Sequence, residues 1–205
     1  MIDLRRTLPI IRDQGPRPTC LSCALSDLHQ SARGKTEQFS SDCLFYYANQ
    51  IHGHASPAGI SPRSARKALR EKGQCLESEW PYDINPTTSL TPPRKIGIHY
   101  KAIATVNNST TAIIDQSLQS KEPVVLVLRL TKKFLYTNGI DPLIYEKSDK
   151  ELGSNHAVVV MGVQSTNYII RNSWGIDWGD KGHALVGSCY INQLSTSMLQ
   201  MRIVL

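Results

Sequence analysis

Asn155-His156-Ala157, followed sixteen positions after the histidine by Asn172-Ser173-Trp174-Gly175, decides how the rest of this chain reads. A histidine and an amide side chain at a fixed interval, with an indole beside the amide, form the imidazole half of a cysteine-nucleophile site. In such a site the amide holds the second ring nitrogen and fixes its tautomer. That half requires a thiol, and upstream stands Gln14-Gly15-Pro16-Arg17-Pro18-Thr19-Cys20, a glutamine six residues ahead of a cysteine that opens a helix-like run. Cys20 would attack a carbonyl, His156 would take the thiol proton and return it to a leaving amine, and Asn172 would orient the ring. Gln14 would complete an oxyanion hole with the backbone N–H of Cys20, where a single donor is worth about 3–4 kcal/mol.

Two further stretches stand in register with these, Phe134-Leu135-Tyr136-Thr137-Asn138-Gly139-Ile140 before the histidine and Tyr168-Ile169-Ile170-Arg171 running into Asn172. With them the chain resembles the papain-like (C1-type) cysteine peptidases from Gln14 to Gly182. The 136 positions between Cys20 and His156 fall inside the roughly 130–150 of that family. The resemblance implies an α+β, papain-like two-lobed fold in a single 1–205 peptidase domain. Its helical lobe would span about 14–90 and its antiparallel sheet or barrel lobe about 91–205, with the active-site cleft between them. It also implies a cysteine endopeptidase that hydrolyses peptide bonds through a Cys20 thioester, a protein or peptide substrate, and neither cofactor nor metal.

The family's Cys-Gly-Ser-Cys-Trp is replaced by Arg17-Pro18-Thr19-Cys20-Leu21, so an arginine stands where the usual first disulfide has a partner. By the same resemblance Pro18 and Thr19 line the subsite for the side chain at the cut bond. A proline there adds volume and fixes φ near −65°, so the subsite is expected to be narrow and to favour glycine. A bulky side chain would cost about 1–3 kcal/mol, which points to limited proteolysis at glycine-containing segments. Gly59, Ile60 and Ala157 mark the next subsite by resemblance, with Gly59 letting the substrate backbone approach as an added strand. Asn155 would shape the cleft, and Trp174 would cover the His–Asn hydrogen bond and strengthen it. Trp178 reads either as core or as the leaving-group side of the cleft.

Composition narrows the setting. The chain has 205 residues, a formal net charge of +6 and a pI of about 9.1, a mildly basic surface that biases encounter toward acidic partners. Arg63, Arg66, Lys67, Arg70 and Lys72 share one helix and read as its solvated face, not as a nucleic-acid footprint. No stretch reaches the roughly 18 apolar residues of a membrane span and no signal peptide is legible. Five cysteines, Cys20, Cys23, Cys43, Cys75 and Cys189, cannot all pair within the chain, which suits a reducing, cytoplasmic setting. Cys20 and Cys23 form a C-x-x-C, but a redox or zinc reading uses none of Gln14, His156 and Asn172, and Cys23 reads as core. The remaining histidines, His29, His52, His54, His99 and His183, read as surface or structural.

Thirteen residues precede Gln14, too few for an inhibitory prosegment. That brevity, with the cysteine usage, resembles bacterial toxin or effector domains delivered into a target cell as part of a larger secreted protein and restrained by an immunity protein in the cleft. A housekeeping cytosolic peptidase is the competing setting. An acyltransferase or deamidase could use the same Cys–His pair with another acceptor, whereas a non-catalytic binding module would be expected to have lost Cys20 or His156.

Local patterns supply the elements. Leu21, Ala24, Leu25 and Leu28 recur at helical spacing after Cys20, which places the thiol at a positive helix end that, with a nearby imidazolium, favours thiolate. A second helix is expected over Ser41 to Ile51, and a third with Ser61 as its cap, Pro62 in its first turn and Gly73 as its stop. Trp80-Pro81-Tyr82 ends the helical lobe, and Thr91-Pro92-Pro93 leads to the next. Strands are expected at His99 to Val106, Val124 to Leu130, Ala157 to Val163, Tyr168 to Asn172 and His183 to Val186, with a helix near Thr111 to Gln119.

Overall fold

A computed structural model describes residues 1–53, 59–85, 90–146 and 148–203, so His54 lies outside the described residues. The chain divides into two compact units. One holds Gln14–Thr105 and the end of the last strand from Met201; the other holds Met1–Asp13 and Val106–Gln200. The division thus falls at 13/14 and 105/106, and the expected lobe boundary near residue 91 is not where contacts thin out. The reason is local. The segment up to Thr105 is tied to the helices by a Gln74↔Tyr100 bridge, by Arg33 donating to the Lys101 carbonyl at 2.6 Å, and by Arg66 donating to the Ala104 carbonyl at 2.7 Å. The first thirteen residues join the sheet instead, through β1 (Ile2–Asp3) on Gly162 and Val163 and through the buried Arg171 guanidinium, which donates to the Leu8 and Ile10 carbonyls.

The helical unit contains α1 (Cys20–Arg33), α2 (Ser41–His52) and α3 (Pro62–Glu71). Their ends follow the capping rules. Ser40 accepts from the Cys43 N–H, and Ser61 and Ser64 form a reciprocal capping box ahead of α3 with Pro62 in its first turn. Helix α1 buries Leu21, Ala24, Leu25 and Leu28, and also its polar residues Ser26, His29 and Gln30. Burial on that second face is sustained by hydrogen bonds: Gln74 donates to Ser26 Oγ at 2.7 Å, and its Oε1 meets His29 Nδ1 at 2.9 Å. Arg63, Arg66, Lys67 and Arg70 of α3 and the adjoining Lys72 are exposed.

The other unit is built on an antiparallel sheet in the order β2-β7-β3-β4-β5-β6, with β1 beside the end of β4. Its strands are β2 (Ala102–Asn107), β3 (Val124–Thr131), β4 (Glu151–Gln164), β5 (Asn167–Arg171), β6 (His183–Gly187) and β7 (Ser195–Ile203). Among the described residues the sheet is open, ending at β2 and β6, so the barrel alternative is not realised. Helix α4 (Thr111–Gln119) lies as expected, while α5 (Lys132–Leu135), α6 (Ser188–Leu194) and β7 were not read from the sequence. Strand β4 begins six residues earlier than expected because its pairing with β3 continues to Thr131↔Glu151, where Arg129 also bridges Glu151 at 2.9 Å. Leu126, Leu128, Val158, Val160 and Ile170 form the sheet side of a core that α4 closes with Ile114 and Leu118.

Candidate active site

The sixteen-residue interval between His156 and Asn172 is hairpin geometry. Strands β4 and β5 pair antiparallel with Val159 opposite Arg171 and Gln164 opposite Asn167, around a register shift between Val160 and Gly162. His156 and the residue following Arg171 are thereby brought to the same end of the two strands. There His156 Nε2 lies 2.6 Å from Asn172 Oδ1, and the same oxygen accepts the Ser173 N–H at 2.8 Å. An amide oxygen can only accept, so Nε2 carries the proton of the neutral ring and the Nδ1 lone pair is left to act as base. The ring is buried and packs against Trp174 at 4.4 Å between centroids. Burial pushes the imidazole down to about 4, with the Asn172 hydrogen bond acting in the opposite direction. Burial in its own unit thus favours the neutral ring, the form that can take a proton on Nδ1.

Three aromatic rings hold this half. Phe134, on the short α5, meets His156 edge-on at 6.0 Å, Trp174 at 5.6 Å and Trp178 at 5.1 Å. Trp178 is buried, and its indole N–H donates to the Phe134 carbonyl at 3.3 Å, so its ring packs into the core of the sheet unit. On β4 Asn155 is exposed, and Ala157, two residues on along the same face, is buried next to His156 in sequence. Gly139 adopts φ +79° and would collide with the Asp180 N–H and the His183 carbonyl if it carried a side chain, so its place in the Asn138-Gly139-Ile140 stretch is a packing requirement.

The thiol half lies in the helical unit. Cys20 is the first residue of α1, partly exposed, at the positive end of the helix dipole. Cys23, one turn on, is buried with its thiol 3.9 Å from Thr19 Oγ1. Gln14 is buried and its Nε2 donates to the Arg17 carbonyl at 2.7 Å, so one of its two N–H bonds holds the loop. Thr19 is also buried, its hydroxyl 2.6 Å from Tyr82 Oη; that side chain points into the helical unit, and a substrate could meet only its backbone. Pro18 is exposed and Gly59 packs on it, since a Cβ at Gly59, where φ is +90°, would stand 2.5 Å from the Pro18 carbonyl oxygen. Ile60 is half-buried next to it. Pro18 and Gly59 are thus adjacent, while Thr19 is turned away.

The sequence reading missed what holds this loop. Arg17, noted only as a lost disulfide partner, is buried with its guanidinium 2.7 Å from the fully buried Asp42 carboxylate. It donates to the Asp83 carbonyl and lies 4.5 Å above the Tyr82 ring. The available signal was an arginine in a loop, and its true partner lies 25 positions on, beyond the reach of any local pattern. All five cysteines are free thiols, and no cluster of metal-ligand type occurs among the described residues.

A family model described as papain family cysteine protease matches residues 2–199. The chain belongs to that family. Mouse pro-cathepsin H is 24% identical over 187 residues, covering 86% of this chain and 55% of the relative. A cysteine proteinase of Theileria annulata is 30% identical over 190 residues, covering 84% and 39%. The chain thus spans about half the length, or less, of the curated relatives it matches. Among solved structures, xylellain, a cysteine protease from Xylella fastidiosa, matches with TM-score 0.78 at 24% identity over 100% of this chain and 86% of that one. The Carica candamarcensis cysteine protease in complex with E-64 matches at 0.75 and 20% identity, over 98% and 97%. Both likenesses concern the papain fold.

Proposed function

We propose that this papain-family chain is a cysteine endopeptidase with Cys20 as nucleophile, His156 as base, Asn172 as its orienting partner and Gln14 as an oxyanion donor. The observation that carries the proposal is the 2.6 Å hydrogen bond from His156 to Asn172 beside Trp174, which reserves Nδ1 for a proton. The Cys20 thiol gives its proton to Nδ1 as its sulfur adds to the peptide carbonyl. The tetrahedral oxyanion is met by the Gln14 amide and the Cys20 N–H, and the imidazolium returns the proton to the departing amine. Water then adds to the thioester, with Nδ1 taking its proton, and thiolate leaves. Intact-mass analysis of a peptide library treated with this chain or with Cys20→Ala tests it. Paired fragments whose summed mass exceeds the substrate by one water, absent with Cys20→Ala, support hydrolysis. A single chain about one dalton heavier would make the protein a deamidase instead.

The finer reading is that Pro18 restricts the pocket to small side chains, so that cleavage is limited to exposed glycine-containing segments, with Gly59 in the next subsite. Their packing supports it, and a preference for Arg, Lys or a large aromatic before the cut bond would overturn it. We place the activity in a reducing cytoplasm, the producer's or a target cell's, where an immunity protein in the cleft would restrain a delivered effector. The odd count of five cysteines, which cannot all pair within the chain, supports that compartment. Growth arrest on expression in a bacterium, lost with Cys20→Ala, is the result expected of an effector, and harmless high expression is that expected of a housekeeping peptidase.

A further inference from the structure

We propose that Arg17 and Tyr82 are positioning residues for the reaction. Together they form a non-covalent brace that sets Gln14 and the start of α1 in the geometry the oxyanion requires, a step that rests on the roles proposed above for Cys20 and Gln14. The brace has two arms. In the first, the Tyr82 hydroxyl donates to the Gln14 carbonyl at 2.9 Å. A phenol has one proton, so the 2.6 Å contact with Thr19 must be Thr19 Oγ1 donating to Tyr82 Oη. The Cys23 thiol in turn points at Thr19 Oγ1 at 3.9 Å. Thiol, hydroxyl, phenol and carbonyl thus form one directed chain from inside α1 to the backbone of Gln14, and burial, by raising the Tyr82 pKa, keeps the phenol protonated as donor.

The second arm runs through Arg17. Its backbone carbonyl accepts from Gln14 Nε2 at 2.7 Å and from the Thr19 N–H at 2.9 Å, so the position of the oxyanion amide is referred to Arg17. The Arg17 side chain is fixed by the Asp42 carboxylate at 2.7 Å, by the Asp83 carbonyl and by the Tyr82 ring beneath it. Asp42 lies on α2 and its other oxygen accepts the Asp83 N–H at 3.0 Å, which closes the circuit. Every contact lies inside the helical unit. A planar guanidinium is suited to this double task, since it can pair with a carboxylate in its plane and stack on an aromatic face at once.

The test is steady-state kinetics on a peptide found to be cut in the mass assay, with Tyr82→Phe, Arg17→Lys and Arg17→Met, beside iodoacetamide labelling read at the Cys20 and Cys23 peptides and amide exchange over 14–20. Tyr82→Phe keeps the ring under Arg17 and loses only the hydroxyl. It is expected to lower kcat about tenfold or more with KM within twofold, to speed exchange in the loop, and to leave Cys20 alkylation unchanged, because displacement at an sp³ carbon builds no oxyanion. Arg17→Lys should retain part of the activity that Arg17→Met loses; if Arg17→Met does not fold, the other two variants decide. A merely structural role would instead open Cys23 to labelling or leave kcat intact per folded molecule, and either result overturns the brace. Unchanged kcat in both Tyr82→Phe and Arg17→Lys, with Cys20→Ala inactive, overturns this inference alone. If the unmodified chain cuts no peptide it is the proposed function that fails, and unchanged exchange over 14–20 in Tyr82→Phe then rejects the brace as well.

Discussion

The thiol half and the imidazole half of the candidate site are held by different physics. Around Cys20 the chain is a loop entering a helix, and its shape depends on polar contacts: the Arg17–Asp42 ion pair, the Tyr82 hydroxyl on Gln14 and the Gln14 amide on Arg17. Around His156 the position is set by strand register between β4 and β5, and the ring is then covered by Phe134 and Trp174, with Trp178 packed behind them. Directional contacts fix a loop that has no ladder to fix it, whereas a strand residue needs only cover. The two halves should therefore fail differently, the first by losing geometry and the second by losing the fold.

The largest contrast is between neighbouring cysteines. Cys20→Ala should abolish turnover, as should His156→Ala, while Cys23→Ala should retain turnover and lose stability, measured as Tm beside initial rate. Labelling of native Cys23 by a thiol-directed peptide electrophile in place of Cys20 would break the assignment. Acid should act next most strongly. His29, His156 and His183 are each pushed down to about 4 by burial, while an unfolded histidine titrates near 6.5. As pH falls from about 6.5 to 4 the unfolded chain binds protons that the native one refuses, so stability falls across that window and levels off below it. A Tm unchanged between pH 7 and 4.5 would contradict this. Because His29 already accepts from the Arg33 guanidinium on Nε2 at 2.9 Å, the helical unit shares the effect with the sheet unit.

Phe134→Ala sharpens the comparison. Removing the fully buried ring shared by His156, Trp174 and Trp178 should cost about 3–5 kcal/mol of stability, read from denaturant midpoints, whereas Tyr82→Phe on the other side should cost little stability. The smallest effect belongs to Asn172→Ala. Its amide orients the ring and transfers no proton, so losing a hydrogen bond to the charged ring, worth about 1.5–3 kcal/mol, should lower kcat/KM by about ten- to a hundredfold. An Asn172→Ala protein as inactive as His156→Ala would mean that the amide has a role in the chemistry itself.

Helix ends, the β4–β5 hairpin and the placement of His156, Asn172 and Cys20 within their elements were legible because they are local. Ser61 with Pro62 caps a helix whatever surrounds it, and an antiparallel pair must bring residues sixteen apart to one strand end once the turn is placed. Strand β7 was missed because Ser195-Thr196-Ser197-Met198 shows no alternation of apolar residues over its first half, and α5 is too short for any period. Thr19 was assigned to a subsite by motif position, yet its hydroxyl turns inward to Tyr82, a direction that the position in the motif does not carry. Sequence by itself determined the family, the reaction's candidate residues and most element types, since each rests on short-range periodicity or motif spacing. Only the tertiary structure decided that Arg17 finds Asp42, that Tyr82 reaches Gln14 across 68 residues, that Trp178 packs on Phe134 and that burial lowers the His156 pKa. Those depend on which side chains exclude water from one another, and that exclusion is a property of the packed chain.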